Sequence, residues 1–110
     1  MKIKKHNIKD MIGGWFVGSF SPAAFNTSDV EIAVQKFSAG HRGKLHHHKI
    51  ATEVTLLLSG RARMAGHILD AGDILTLPPG ISSSFEALED CVTVVVKHPG
   101  ALNDKYMDEH

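Results

Sequence analysis

The sequence has few of the features that mark several large classes of protein. It contains a single cysteine, Cys91, so no intramolecular disulfide can form, which excludes a disulfide-stapled secreted scaffold and favours a reducing, cytoplasmic location. The 12 Lys and Arg residues are balanced by 12 Asp and Glu residues. A protein that binds nucleic acid or an anionic membrane usually carries an excess of basic residues, so we expect neither partner. No apolar run approaches the roughly 18 residues of a transmembrane helix.

Helical periodicity and common catalytic motifs are also missing. No segment keeps a helical period for more than a turn or two, and the best helical candidates, Ile8–Ile12 and Asn103–Met107, are short and near the ends. There is no glycine-rich phosphate loop, no serine nucleophile elbow and no Cys-x-x-Cys pair. Phosphoryl transfer through such a loop, serine hydrolysis and dithiol redox chemistry are therefore not indicated.

Short apolar runs separated by Gly, Pro, Asp and Ser predict an all-β domain. With 110 residues and 43% hydrophobic residues, the chain suits one domain spanning 1–110. We expect an N-terminal strand region at 12–20, a barrel core at about 29–97 and a polar, loosely packed tail at 101–110. The candidate strands are Trp15–Phe20, Val30–Phe37, Glu53–Leu58, Arg61–Ala65, Ile74–Leu77, Ser83–Glu86 and Cys91–Lys97.

Histidine is unusually abundant, with eight residues, three of them adjacent at 46–48. If this tract is extended, His46 and His48 project to one side and His47 to the other. A turn at 49–52 could return Glu53 to the same place. Two neutral imidazoles and a carboxylate suit non-haem iron and also accept manganese, nickel or zinc. A solvated loop or adventitious metal binding is the alternative for the tract taken alone.

The spacing around this tract resembles the first motif of the cupin superfamily. Gly40, five residues, His46-x-His48, four residues, Glu53, six residues and Gly60 match that motif without a gap. The second motif follows as Gly72, five residues and Pro78-x-Gly80. The ends of the chain look similar to a subgroup of small bacterial and viral cupins without established activity, through Gly14–Gly18, Val94–Lys97 and Asp104–Tyr106.

The resemblance implies a double-stranded β-helix, or jelly-roll barrel, with a divalent metal ion held inside its mouth. It also implies that His46, His48 and Glu53 are the metal ligands. A fourth family ligand, a histidine three residues after the second-motif glycine, is replaced here by Ser83. Because a serine hydroxyl is a poor ligand at neutral pH, either three protein ligands suffice or metal affinity is weakened.

Three functions remain open from the sequence. The first is a metal-dependent enzyme, of oxygenase or isomerase type, acting on a small organic substrate. The second is a non-catalytic module that binds or senses a sugar-like or acidic metabolite, and the third is a metal-free, degenerate cupin scaffold. A homodimer is expected in each case, with the N-terminal strand as a contributor. Fold alone does not choose between them.

Overall fold

The computed structural model describes residues 2–108 and consists almost entirely of strands. A 3₁₀ turn at Ile8–Asp10 precedes them, and no helix among the described residues is long and apolar enough to cross a bilayer. The strands are β1 Trp15–Val17, β2 Glu31–Phe37, β3 His46–His48, β4 Thr52–Ser59, β5 Arg61–Met64, β6 His67–Asp70, β7 Ile74–Leu77, β8 Phe85–Ala87, β9 Cys91–His98 and β10 Lys105–Met107.

The strands form two facing layers, which confirms the predicted jelly-roll barrel. One layer is an antiparallel sheet in the order β1-β2-β9-β4-β7. The other contains the sheets β6-β5-β8 and β10-β3, joined by the bridges His46–Ser83 and Arg42–Glu86. Residues of both layers line one interior cavity. The first-motif histidines and Glu53 therefore lie on opposite walls of one barrel.

The packed core occupies one end of the barrel and leaves the other end for the site. Leu57 and Cys91 are buried in this core, at the ends of β4 and β9 opposite to Glu53 and Lys97. At the core end, β4 passes into β5 through Gly60, whose φ of +91° is in the left-handed region. A Cβ there would collide with the backbone of the loop before β9. Gly60, the last residue of the first motif, is thus required by the turn between β4 and β5.

The chain's C-terminal part contains a strand that the sequence did not reveal. Asn103–Met107 was one of the two best helical candidates, but Lys105–Met107 is a strand that pairs with β3. The side chains of this strand are exposed, whereas Asp104, just before it, is only 4% exposed. A three-residue strand has no detectable period, and its conformation comes from its partner strand. The same reason explains why His67–Asp70, which pairs with β5, was missed.

Candidate metal centre and its cavity

Strand β3 separates its three histidines by simple alternation. His46 and His48 face the interior and line the barrel cavity, and His48 is 7% exposed. His47 points the other way, where its Nδ1 lies 2.8 Å from Asp108 Oδ1 and its ring stacks on Tyr106 at a centroid distance of 5.4 Å. The expected division of the tract is confirmed, so it is an ordered strand and not a solvated loop.

A buried carboxylate holds the turn that returns Glu53 to the histidines. Asp104 accepts hydrogen bonds from the backbone N–H groups of Lys49 at 3.0 Å, Ile50 at 3.1 Å and Ala51 at 2.9 Å. Burial raises the pKa of Asp104, but these three hydrogen bonds lower it by more, so the pKa lies below its usual value. Sequence reasoning missed this residue, because nothing local links residue 104 to a turn 53 residues earlier. The sequence indicates only that the backbone N–H groups of that turn need hydrogen-bond acceptors, and it does not indicate which residue supplies them.

The resulting group brings together all three predicted ligands. One ligand atom from each of His46, His48 and Glu53 lies within 4.8 Å of the others. Both imidazoles use Nδ1 elsewhere: His46 Nδ1 donates to the Lys44 carbonyl at 2.9 Å, and His48 Nδ1 donates to the Asp104 carbonyl at 3.1 Å. A carbonyl can only accept, so each neutral ring keeps its proton on Nδ1. Both Nε2 lone pairs are left free for coordination.

The contact between His48 and Glu53 indicates that a cation belongs between them. His48 Nε2 is buried without a hydrogen-bond partner in the described chain, although Glu53 Oε1 lies only 3.3 Å away. With the proton on Nδ1, a lone pair of nitrogen faces a carboxylate oxygen, which is repulsive without a positive charge nearby. Two atoms bonded to one metal ion at about 2.0–2.2 Å lie about 3 Å apart when their bonds are perpendicular. The donor set therefore fits a divalent ion.

The protonation equilibria of the site favour the ligand forms. Burial lowers the pKa of His46, which keeps its imidazole neutral. Burial raises the pKa of Glu53, but a proton on His48 Nε2, and then Lys97 and Thr55, lower it by more, and the net shift is downward. A metal ion between the two side chains would take the place of that proton. Glu53 Oε2 also accepts a hydrogen bond from Thr55 Oγ1 at 3.1 Å. A carboxylate anion and a neutral imidazole are the states that bind metal.

The ligand group opens into a cavity of about 710 Å³ inside the barrel. This volume is within the usual range of small-molecule sites. Its walls combine aromatic side chains, such as Trp15 and Phe37, with polar ones from the inner face of the first sheet. The polar side chains of that sheet are Glu31, Gln35, Glu53, Thr55, Thr93 and Lys97.

Ser83 lies beside His46 in an isolated β-bridge, two residues before β8 begins. Two backbone hydrogen bonds join the pair, from His46 N to Ser83 O at 2.9 Å and from Ser83 N to His46 O at 2.8 Å. Directly opposed residues of an antiparallel pair share a face. Ser83 is 4% exposed, and it lines a second, smaller cavity of about 280 Å³. Its predicted position opposite the metal therefore stays a prediction.

Comparisons by sequence give no family, whereas comparisons by structure give the fold. No protein-family model matches the sequence, and no curated protein matches it. The structure is similar to that of an uncharacterized conserved protein with a double-stranded β-helix domain from Klebsiella pneumoniae. The TM-score is 0.67 and the identity 26%, over 76% of this chain and 74% of that one. A cupin-2 domain protein from Shewanella frigidimarina matches with a TM-score of 0.59 and 21% identity, over 66% and 72% of the chains. This chain has the fold of a small cupin.

The same fold occurs in larger proteins. Oxalate decarboxylase from Bacillus subtilis, a protein with Mn(II) centres, matches with a TM-score of 0.64 and 23% identity. The match covers 73% of this chain but only 24% of that chain. This likeness is one of fold.

In this chain, the second motif contacts the first, because Gly80 N donates to the carbonyl of His48 at 2.6 Å.

Proposed function

We propose that this cupin binds one divalent metal ion through His46, His48 and Glu53 and uses it to hold a small organic molecule in the barrel. The observation that carries the proposal is the buried, unpartnered Nε2 of His48 facing the Glu53 carboxylate. Two neutral imidazoles and one carboxylate suit Fe(II), and also manganese, nickel or zinc. The buried, unpaired Cys91 agrees with the reducing, cytoplasmic location that we propose for the protein.

The residues around the three ligands have distinct tasks. The Lys44 and Asp104 carbonyls orient the two imidazoles, and Thr55 orients the carboxylate. A bound divalent ion supplies a Lewis acid with free coordination positions at the cavity. With only three protein ligands, a small molecule can reach the ion directly. The catalytic form of the proposal is an oxygenase or isomerase, and the non-catalytic form is a metabolite-binding module.

Metal analysis of protein prepared without an affinity tag tests the proposal directly. We expect about one divalent ion per chain, removable by a chelator and restored by Fe(II), Mn(II) or Zn(II). Protein that neither retains nor takes up an ion would contradict the proposal and favour the metal-free scaffold. Fe(II)-dependent oxygen uptake or product formation with a panel of metabolites then separates the catalytic form from the binding form.

We further propose that two copies of the cupin associate through the outer face of the five-stranded sheet. The register aligns outward-facing side chains in apolar rows across β2, β9, β4 and β7, of which Val34, Val94, Leu56 and Ile74 form the central row. Lys36, at the rim, is the charged residue of β2 on this face. A second copy offers a matching apolar centre under a two-fold axis, with Lys36 at the rim of each face.

A further inference from the structure

Three neighbouring strands carry a row of charged side chains on the inner face of the barrel. The register pairs Lys97 of β9 with Glu31 of β2 on one side and with Glu53 of β4 on the other. Glu31 is 6% exposed. Side chains directly opposed on adjacent strands have Cβ atoms about 4.5–5.5 Å apart. Lys97 therefore lies inside the cavity, one strand away from the carboxylate of the candidate metal ligand Glu53.

The ammonium of Lys97 contacts the ring of Trp15 and forms no ion pair with a described carboxylate. Its Nζ lies 4.7 Å from the centroid of Trp15. None of the ion pairs within 4.0 Å among residues 2–108 includes Lys97. A cation over an aromatic face keeps its hydrogen-bond donors available for another partner. Lys97 thus presents unused donors to the cavity.

A hydroxyl on the same face of β9 also has no partner. Thr93 is 1% exposed and lines the same cavity, and its Oγ1 makes no hydrogen bond to any described residue. A buried polar group left unpaired costs about 1–3 kcal/mol. Such groups are rare in folded proteins and call for an explanation. Because Thr93 lines the cavity, a polar ligand there can pair with this hydroxyl.

The charges that line the cavity favour an anionic ligand once the metal is bound. The acidic side chains are Glu31, Glu53 and Asp104, and the basic ones are Lys44, Lys97 and Lys105. They balance, so the charge of a divalent ion is left uncompensated. The Asp104 carboxylate is also occupied by the three N–H groups of the β3–β4 turn. An anion in the cavity would restore neutrality.

We propose that Lys97 and Thr93 form a subsite for the carboxylate of a small organic acid, next to the metal position. Lys97 supplies the charge and Thr93 a hydrogen bond, while Trp15 orients the ammonium. The inference rests on the proposed function in one respect, since the other end of the organic acid is expected to reach the metal ion. The subsite formed by Lys97 and Thr93 includes none of the residues proposed to bind the metal. It can therefore be examined in metal-free protein, where the lining charges balance and succinate should bind more weakly than in the metal-loaded protein.

Trp15 makes the subsite directly measurable, because it is the only tryptophan of the chain. The experiment is a fluorescence titration of full-length, metal-free protein with succinate and, separately, with succinamide, its uncharged analogue of equal length. We expect a saturable change of Trp15 emission with succinate and at least tenfold weaker binding of succinamide. Zn(II) loading should tighten succinate binding several-fold. No saturable response to succinate, or equal binding of both compounds, would overturn the proposal.

Two cavity variants and one surface variant locate the binding. Lys97→Met removes the ammonium but keeps an apolar stem, and it should weaken succinate binding at least tenfold. Lys36→Met, at an exposed position on the outer face of β2, is the matched control and should leave binding unchanged. Thr93→Val has the same shape, so it keeps the protein testable if Lys97→Met fails to fold, and it should weaken binding several-fold. Unchanged affinity in Thr93→Val and in folded Lys97→Met would contradict the subsite.

The failure of this inference can be told apart from that of the metal proposal. His48→Ala should abolish metal uptake, and it tests the metal centre alone, because His48 itself lines the cavity. Metal uptake without a succinate response refutes only the carboxylate subsite. A succinate response without metal uptake refutes only the metal centre.

Discussion

The two faces of the five-stranded sheet depart from the usual arrangement of a half-buried sheet at the mouth of the barrel. Along β9 the inward residues include Thr93 and Lys97, whereas Val92, Val94 and Val96 face outward. Antiparallel sheets commonly place apolar residues inside and polar residues outside. Here the inner face is polar near the mouth, where it lines the cavity, and the outer face is mostly apolar. The difference supports the proposals of a ligand site on the inner face and of a contact surface on the outer face.

The strongest test of the inner face compares neighbouring histidines of one strand. His46→Ala and His48→Ala should each reduce metal content from about one ion per chain to near zero, because each removes one of three protein ligands. His47→Ala should keep full occupancy, since His47 faces Asp108 and Tyr106. Metal content is measured by elemental analysis after gel filtration. Equal losses in all three variants would mean that the alternation of β3 does not define the site.

The corresponding test of the outer face is the oligomeric state. Val94→Lys places a charge at the centre of the apolar rows and should convert the proposed dimer into a monomer of 12.0 kDa, measured by light scattering after gel filtration. Lys36→Gln at the rim is the control and should remain dimeric. The monomeric variant should still bind metal, because residue 94 faces away from the cavity. A wild-type protein that is monomeric at about 100 µM would refute the dimer.

The turn that aligns the two walls of the inner site should respond to pH through Asp104. Its folded pKa is below the usual value, so its contribution to stability is present above about pH 4 and is lost as the pH falls through the folded pKa. Asp104→Asn should cost about 1–3 kcal/mol at pH 7, because the amide group cannot replace both carboxylate oxygens as acceptors. Urea unfolding at pH 7 and pH 3 measures both effects. A difference between wild type and variant that does not shrink at pH 3 would contradict this role.

The smallest expected effect concerns the position next to His46. Ser83→His should supply an additional imidazole on the face shared with His46 and tighten metal binding by about tenfold or more. Competition with a chelator measures the affinity of both proteins, and circular dichroism verifies the fold. Ser84→His is the control. Successive residues of an extended chain point to opposite faces, so this variant should not bind metal more tightly. An unchanged affinity of a folded Ser83→His would show that residue 83 does not face the metal.

Much of the site could be predicted because its residues are close in sequence. The pair His46 and His48 follows from the alternation of an extended strand, and Glu53 follows from one turn. The strand Ile74–Leu77 was also predicted with its observed bounds, since an apolar run between Gly72 and Pro78 leaves little choice. The first and second motifs carried the fold, which the structural comparisons confirm.

The rest of the site depends on contacts between residues far apart in the chain. Lys97 looked like the end of an apolar strand, and only its register with Glu31 and Glu53 places it beside the metal position. Asp104 looked like part of a polar tail, and only the pairing of β10 with β3 brings its carboxylate to the turn.

The sequence by itself determined the strands with a clear alternation, the turns marked by glycine and proline, and the shared side of the candidate ligands His46 and His48, because these depend on local backbone geometry. The tertiary structure decided the polar lining of the cavity, the fixed tautomers of His46 and His48, and the apolar outer face. The register between strands sets which side chains become neighbours, and no short stretch of the chain encodes that register on its own.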